Sequence, residues 1–154
     1  MTQTLRRVAV LGGVRIPFCR SNTLYADLSN LDMMTATLNG LVEKFRLQGA
    51  HIDQVVGGAV VTHSRDWNLA REAVLGTELA PSTPGITMMQ ACGTSLQAAM
   101  SIAGNIASGQ IESGIAVGSD TTSDAPVVVS KRLAKRLTEM AQQKSTWDKV
   151  RTLR

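Results

Sequence analysis

Residues 87–100 read TMMQACGTSLQAAM, and this stretch marks the point where a strand passes into a helix. The apolar run over residues 86–90 is typical of a strand, and apolar residues recur at helical spacing over residues 93–108. Cys92 therefore lies at the start of a predicted helix, where unpaired N–H groups and the macrodipole stabilise an anion. Two roles stay open at this point: a nucleophile that carries an acyl group as a thioester, or a small buried hydrophobe.

The alternation of strand and helix extends in both directions from Cys92. Gly49 and Gly76 follow two of the helical patterns and are predicted to end them. This order predicts right-handed crossovers and a mainly parallel sheet with helices on both faces, which is an α/β fold. The predicted strands cover residues 8–11, 52–62, 86–90 and 114–118, and the predicted helices cover residues 27–48, 67–75, 93–108 and 131–144.

The composition indicates one globular domain without a disulfide framework or a metal site. The chain has 154 residues, of which only 3% are aromatic, so small and aliphatic side chains must fill the core. Cys19 and Cys92 have no CxxC partner, and His51 and His63 fit no zinc-ligand spacing. No apolar run is long enough to span a bilayer or to form a secretory leader, which predicts a cytoplasmic protein.

Positive charge is concentrated in the last part of the chain. Residues 131–154 hold 8 basic and 2 acidic groups, a balance of +6, whereas residues 1–130 hold 8 basic and 10 acidic groups, a balance of −2. The main body has no basic stripe and few aromatic side chains, so binding to nucleic acid is not predicted.

Four motifs follow one another along the chain: RIPF (15–18), NLAREAVLG (68–76), QACGTSLQAAM (90–100) and IASGQIESGIAVGSDTTSDAP (106–126). Together they resemble the N-terminal part of the thiolases, the acetyl-CoA acetyltransferases and 3-ketoacyl-CoA thiolases. The segment SDAPVVVSKRLAKRL (123–137) is most similar to the thiolase subunits of fatty-acid oxidation complexes. The resemblance implies a thiolase N-terminal α/β domain over residues 1–121 and the start of a basic helical loop domain over residues 122–154.

The resemblance also implies a chemistry for Cys92. In the family the matching cysteine is acylated, so the implied reaction is acyl transfer between a 3-ketoacyl-CoA and coenzyme A, or the reverse condensation of acetyl-CoA. Coenzyme A is the implied co-substrate, and no tightly bound cofactor is expected. Gln90 stands where the family commonly has asparagine, and Thr94 and Ser95 stand where many members read Ser-Gly. These departures leave the acyl chain length open, and no substrate-binding residue is assigned.

The second half of a thiolase has no counterpart in this chain. In the family that half carries a histidine in a GHP motif, an Asn-Glu-Ala-Phe stretch and a second cysteine in a CxG motif; His51, His63 and Cys19 lie outside these contexts. The chain is therefore interpreted as an N-terminal half that lacks its C-terminal partner, forms homo-oligomers and is inactive by itself. Two other functions stay open: a non-catalytic half that acts only in subunit association, and a condensing enzyme of the ketoacyl-synthase type.

Several remaining residues are assigned structural roles. Arg15 and Arg71 are expected to fix loops and subunit contacts, and the pairs at residues 12–13 and 57–58 are interpreted as tight packing sites because they lack a dinucleotide fingerprint. For the basic segment over residues 131–154 three interpretations stay open. They are a solvated helix face, a lining for the phosphates of coenzyme A as the resemblance implies, and contact with a membrane surface or partner subunit.

Overall fold

The computed structural model describes residues 5–145 and 147, and it places three parallel strands in one sheet. The strands are β1 (Gln54–Gly58), β2 (Gly85–Thr87) and β3 (Gly114–Gly118), and the helices are α1 (Asn30–Phe45), α2 (Leu69–Leu75), α3 (Thr94–Ala107) and α4 (Lys131–Gln142). The sheet order is β2-β1-β3, with Val55 of β1 opposite Gly85 on one side and Ile115 on the other. The predicted α/β fold with a parallel sheet is confirmed.

Successive residues of the central strand face two separate core layers. Val55 belongs to a core that includes Met34 and Leu38 of α1 and Val74 of α2. Val56 points to the opposite face, where it packs with Ala98 and Ile102 of α3. Because side chains alternate across a strand, β1 is apolar on both faces, and helices cover both sides of the sheet.

The ends of α1 are set by local hydrogen bonds. Ser29 and Asp32 form a reciprocal capping box at the start, and hydrogen bonds from Ser29 lower the pKa of the Asp32 carboxyl. Arg46 ends the helix in the left-handed region, with φ of 53°, and its N–H bonds back to the carbonyls of Glu43 and Val42. The prediction that Gly49 ends this helix is therefore wrong, since the chain turns three residues earlier. None of the helices in the described part of the chain is long and apolar enough to cross a membrane.

The prediction of a strand over residues 8–11 is wrong, because this segment pairs with no strand within residues 5–145. Its start is held by a hydrogen bond of 2.9 Å from the Arg6 N–H to the Ala107 carbonyl, and Lys44 bonds the Gly13 carbonyl at 2.9 Å. Between residues 8–14 and the free edge of β3 lies a cavity of about 580 Å³, lined mostly by apolar side chains of α1, α3 and β3. The segment is thus separated from the sheet edge with which it would have to pair.

One carboxylate joins the starts of β1 and β3. The Asp53 carboxylate accepts hydrogen bonds from the backbone N–H groups of Glu112 at 2.8 Å and Ser113 at 2.9 Å, and from the Ser113 hydroxyl at 3.2 Å. These bonds, with a smaller contribution from the charge of His51, lower the pKa of Asp53 below its ordinary value. A carboxyl whose pKa is lower in the folded than in the unfolded chain stabilises the fold above its unfolded pKa.

We expect the Asp53→Asn variant to be less stable than the wild type at neutral pH and to lose less stability on acidification. The contribution of Asp53 is complete above its unfolded pKa and disappears as pH falls through the lower folded pKa, so the difference between the proteins should narrow below about pH 4. Urea unfolding at neutral and acid pH measures it. Asp27→Asn is the control, because Asp27 is exposed and accepts no hydrogen bond from any described residue. Parallel pH profiles for wild type and Asp53→Asn would contradict the assignment.

Candidate active site

Cys92 lies in a tight turn between β2 and α3, at the carboxyl edge of the parallel sheet. Strand β2 ends at Thr87, three residues before the predicted end, although the Met88 N–H still bonds the Gly57 carbonyl at 2.9 Å. Helix α3 begins at Thr94 with Gly93 as its N-cap, and the Cys92 side chain is exposed. The predicted position at a helix start is therefore observed, and the alternative of a buried hydrophobe is wrong.

The turn that carries Cys92 is held by Thr94. Its hydroxyl accepts a hydrogen bond of 2.8 Å from the Gln90 N–H and donates one of 2.8 Å to the Ala91 carbonyl. Thr94 is buried, with 5% of its surface exposed. Ala91 adopts a left-handed conformation, with φ of 43°, which costs a residue with a side chain about 1–3 kcal/mol. The buried threonine thus holds a strained backbone directly before the cysteine.

Two strand-end glycines let the sheet approach this turn. A Cβ on Gly58 would lie 1.9 Å from the Met88 carbonyl oxygen and 3.1 Å from the methyl of Thr94, and one on Gly118 would lie 2.9 Å from the Cβ of Ser95. The interpretation of residues 57–58 as tight packing sites is confirmed. For Gly13 the same interpretation is wrong, because a Cβ there would meet no atom within 4 Å.

Backbone donors are available around the cysteine. Among the described residues, the N–H groups of Cys92, Ser95 and Leu96 have no hydrogen-bond acceptor, and Gly93 supplies no capping side chain. The first N–H groups of a helix point along its axis and carry partial positive charge. An anion formed at or near the sulfur would therefore meet free donors rather than groups already used inside the protein.

The two histidines serve other contacts. His51 is exposed, and its Nδ1 lies 2.9 Å from the Ser82 hydroxyl. His63 is partly buried and contacts Asp124 through the backbone carbonyl and through the carboxylate at 3.3 Å. Arg65 pairs with the same carboxylate. Within residues 5–145 and 147, no side chain forms a hydrogen bond to the Cys92 thiol, and no group of three or more His, Cys, Asp or Glu residues could hold a metal ion.

The contacts of Arg71, Arg15 and Cys19 lie within their own parts of the fold. Arg71 donates to the Thr83 carbonyl at 2.7 Å and to the Pro81 carbonyl at 2.9 Å, so its predicted role in fixing a loop is confirmed. Arg15 is exposed, with its guanidinium 4.9 Å from the centre of the Phe18 ring. Cys19 is half-buried and carries a free thiol. The sequence analysis did not predict the left-handed backbone at Ala91, the hydrogen bonds by which Thr94 holds the turn, or the close approach at Gly118. For Gly118 a signal was available, because a glycine stands at each end of β3.

Comparison with protein families identifies the fold. A family model described as the thiolase N-terminal domain matches residues 8–150. A 3-ketoacyl-CoA thiolase of Photorhabdus laumondii is 38% identical over 153 residues, and one of Shewanella denitrificans is 37% identical over 148 residues. These alignments cover 99% and 96% of this chain. The chain spans only about a third of the length of these relatives, 35% and 34% respectively.

Solved structures show the same arrangement of elements. The acetyl-CoA acetyltransferase of Bacillus anthracis superposes with a TM-score of 0.79 at 22% identity, over 85% of this chain and 33% of that one. The Acat5 thiolase of Ascaris suum, solved in complex with coenzyme A, superposes with a TM-score of 0.66 at 23% identity, over 72% of this chain and 29% of that one. At such identities the likeness shows the fold, and the family model adds the sequence match. The chain belongs to the thiolase family and corresponds to its N-terminal domain.

Proposed function

We propose that this chain supplies the acyl-carrying half of a thiolase, with Cys92 as the nucleophile. The observation that carries the proposal is an exposed thiol directly before helix α3, in a turn held by buried Thr94 and surrounded by unpaired N–H donors. Relatives named 3-ketoacyl-CoA thiolase match almost the whole chain, which supports acyl transfer to and from coenzyme A.

The proposed reaction has two steps at one sulfur. The Cys92 thiolate attacks the 3-keto carbon of a 3-ketoacyl-CoA, the bond between carbons 2 and 3 breaks, and the leaving carbanion takes a proton to become acetyl-CoA. The thiol of a second coenzyme A then gives up its proton and attacks the acyl-cysteine, which releases the shortened acyl-CoA and the Cys92 thiolate; this proton balances the one taken up by the carbanion in the first step. Condensation of two acetyl-CoA molecules is the reverse. Coenzyme A is a co-substrate here, and no tightly bound cofactor is required.

The unpaired N–H groups would stabilise the oxygen anion formed when the sulfur adds to the carbonyl. Preorganised backbone donors of this kind often account for the largest single part of an enzymatic rate enhancement. Cys92 and Ser95 provide two such donors on either side of the N-cap Gly93. Cys92 belongs to the turn that Thr94 holds through two hydrogen bonds, and Ser95 belongs to the first turn of α3.

Proton transfer is the part of the reaction that this chain is proposed to lack. No described side chain forms a hydrogen bond to the Cys92 thiol, so neither a base for the thiol nor an acid for the leaving carbanion is in contact with it. We assign these groups to the part of the full-length relatives that lies beyond the aligned third, which would also cover the apolar cavity beside β3. Turnover by the isolated chain should therefore be negligible.

The remaining proposals concern the protein around the site. They are a thiolase domain over residues 1–121 followed by the start of a loop domain, homo-oligomers formed through this half, membership of a fatty-acid oxidation complex, and a cytoplasmic location. The resemblance of residues 123–137 to the thiolase subunits of such complexes supports the complex membership.

Acyl labelling tests the proposal. After incubation with radiolabelled acetyl-CoA, acid-stable label that hydroxylamine removes should lie on the peptide that contains Cys92. Cys92→Ser should lose nearly all of this label, and Cys19→Ser, which removes the other thiol of the chain, should retain it. Label at another residue, or iodoacetamide reactivity of Cys92 no greater than that of Cys19, would refute the nucleophile.

Two rival functions give different results. A half that acts only in subunit association takes up no label but still forms oligomers; the free edge of β3 beside an apolar cavity is the feature that favours it. A condensing enzyme of the ketoacyl-synthase type accepts acyl groups from acyl-carrier protein rather than coenzyme A. Comparing the two donors in the same labelling assay separates these functions from the thiolase.

A further inference from the structure

Helix α4 lies on the outside of the molecule with no residue buried. Leu133 and Leu137 are 42% and 37% exposed, and Val127 and Val128 just before the helix are 92% and 87% exposed. An isolated helix of about 12 residues is marginally stable in water, and here no core contact stabilises it. The apolar side chains of this helix are therefore available to a surface outside the described domain.

The residues of α4 divide into an apolar and a basic face. With a turn of about 100° per residue, the apolar residues occupy an arc of roughly 120° and the four cations occupy most of the opposite side. The apolar residues are Leu133, Ala134, Leu137, Met140 and Ala141, and the cations are Lys131, Arg132, Lys135 and Arg136.

A cation lies directly beside the apolar arc on one side, and on the other side a threonine separates the arc from the nearest cation. On the same helical projection, Arg136 lies next to Met140 at one border, whereas at the other border Thr138 lies between Ala134 and Lys131. Glu139, the single acid of the helix, lies near the middle of the polar side, turned away from the apolar arc. Its carboxylate is 3.9 Å from the Lys135 ammonium. Positive charge therefore lies directly beside one border of the apolar face and one residue beyond the other, in both places without a neighbouring negative charge.

We propose that α4 binds to anionic lipid surfaces, with Leu133, Leu137 and Met140 in the boundary between headgroups and acyl chains. A helix that lies in this boundary buries one apolar face, while lysine and arginine at its borders reach up to the phosphates. Phosphates of a soluble ligand would attract the same cations, but they would leave the apolar face in water. The joint presence of both faces favours a membrane surface over a small anionic ligand.

Sedimentation with vesicles tests the proposal on the full 154-residue chain. We expect binding to vesicles of equal parts phosphatidylcholine and phosphatidylglycerol to exceed binding to phosphatidylcholine alone by on the order of tenfold, because each basic residue near an anionic surface adds to the attraction. Added salt should weaken it, since the attraction is screened beyond about one Debye length. Equal binding to both vesicle types, or binding to neither, would overturn the proposal.

Paired variants test the two faces separately. Leu133→Asn with Leu137→Asn, and Arg132→Gln with Arg136→Gln, should each reduce binding to the anionic vesicles by on the order of tenfold. Matched controls outside α4 are Leu24→Asn, at a leucine 86% exposed, and Arg7→Gln with Arg20→Gln, at exposed arginines. These should bind like the wild type. Because α4 contributes no buried residue and the control positions are exposed, thermal unfolding should be unchanged in all four variants.

The variants also distinguish a lipid from a protein partner. Wild-type binding by the leucine pair would mean that charge alone attracts the chain, and the interfacial helix would be refuted. A dimer in size-exclusion chromatography that the leucine pair dissociates, with no binding to vesicles, would instead assign the apolar face to contact with a second copy. Either result overturns the proposal.

Discussion

Replacing Gly58 by alanine is expected to destabilise the protein by about 3 kcal/mol or more, because the new methyl group has no space. It would lie 1.9 Å from the Met88 carbonyl oxygen and 3.1 Å from the methyl of Thr94. Both neighbours belong to the segment that carries Cys92, and the first is rigid backbone. Relief requires a shift of the turn, so alkylation of Cys92 should change together with stability. Urea unfolding measures the first effect, and the rate of reaction with iodoacetamide measures the second.

Gly104→Ala provides the matched control for this variant. Gly104 lies within α3, and a Cβ there would meet no atom within 4 Å. The same chemical change should therefore stabilise the protein by about 0.5–1 kcal/mol, since alanine loses less backbone entropy than glycine in a helix. If Gly58→Ala and Gly104→Ala had equal effects, the close approach of β1 to the Cys92 turn would be disproved.

Met34→Ala is expected to cost about 2–5 kcal/mol of unfolding free energy, because it removes a large side chain from a closed core. Met34 is fully buried in the layer between α1, α2 and the sheet. A domain of this size has a net stability of about 5–15 kcal/mol, so the variant should unfold at a much lower urea concentration than the wild type.

Met100→Ala is the control for the core variant. Met100 lies on α3 with 59% of its surface exposed, so its truncation should change the unfolding free energy by no more than about 0.5 kcal/mol. A small effect at Met34 would mean that the layer under α1 is loosely packed, contrary to the structure.

The sequence predicted the bounds of those elements that end at glycines. Strand β3 spans Gly114–Gly118 as predicted, and α2 ends at Gly76 as predicted. The strand predicted over residues 52–62 is shorter, ending at Gly58, because the Asp120 carboxylate takes the N–H groups of Val60 and Val61 at 2.9 and 3.0 Å. That contact joins residues about 60 positions apart, which no local pattern reveals.

The failed strand over residues 8–11 has a different cause. Its apolar pattern is that of a strand, but a strand exists only when a neighbour supplies hydrogen bonds. Among the residues that the structure describes, β3 pairs only with β1, and a cavity of about 580 Å³ lies beside it. The sequence pattern of residues 8–11 correctly indicated an apolar segment, but it could not show that β3 does not pair with this segment.

The position of Cys92 at a helix start could be predicted, whereas the geometry of its turn could not. The change from strand to helix periodicity around the cysteine located α3 to within one residue. The left-handed backbone at Ala91 gave no signal, because alanine is not a residue that favours this conformation. Only the buried Thr94, which bonds both sides of the turn, explains how that conformation is maintained.

The central place of β1 in the sheet has a consequence for how the chain acquires its structure. The first strand to be made is the one that both others must join: Val55 pairs with Gly85, and Gln54 pairs with Gly114. Each pairing must close a long loop before the first hydrogen bonds between the two strands can form. Proteins whose contacts are non-local in this way fold slowly. Helices α1 and α2 can therefore form while β1 is still the one strand present, and the backbone hydrogen-bonding groups at both edges of β1 have no strand partner until β2 and β3 have been synthesised.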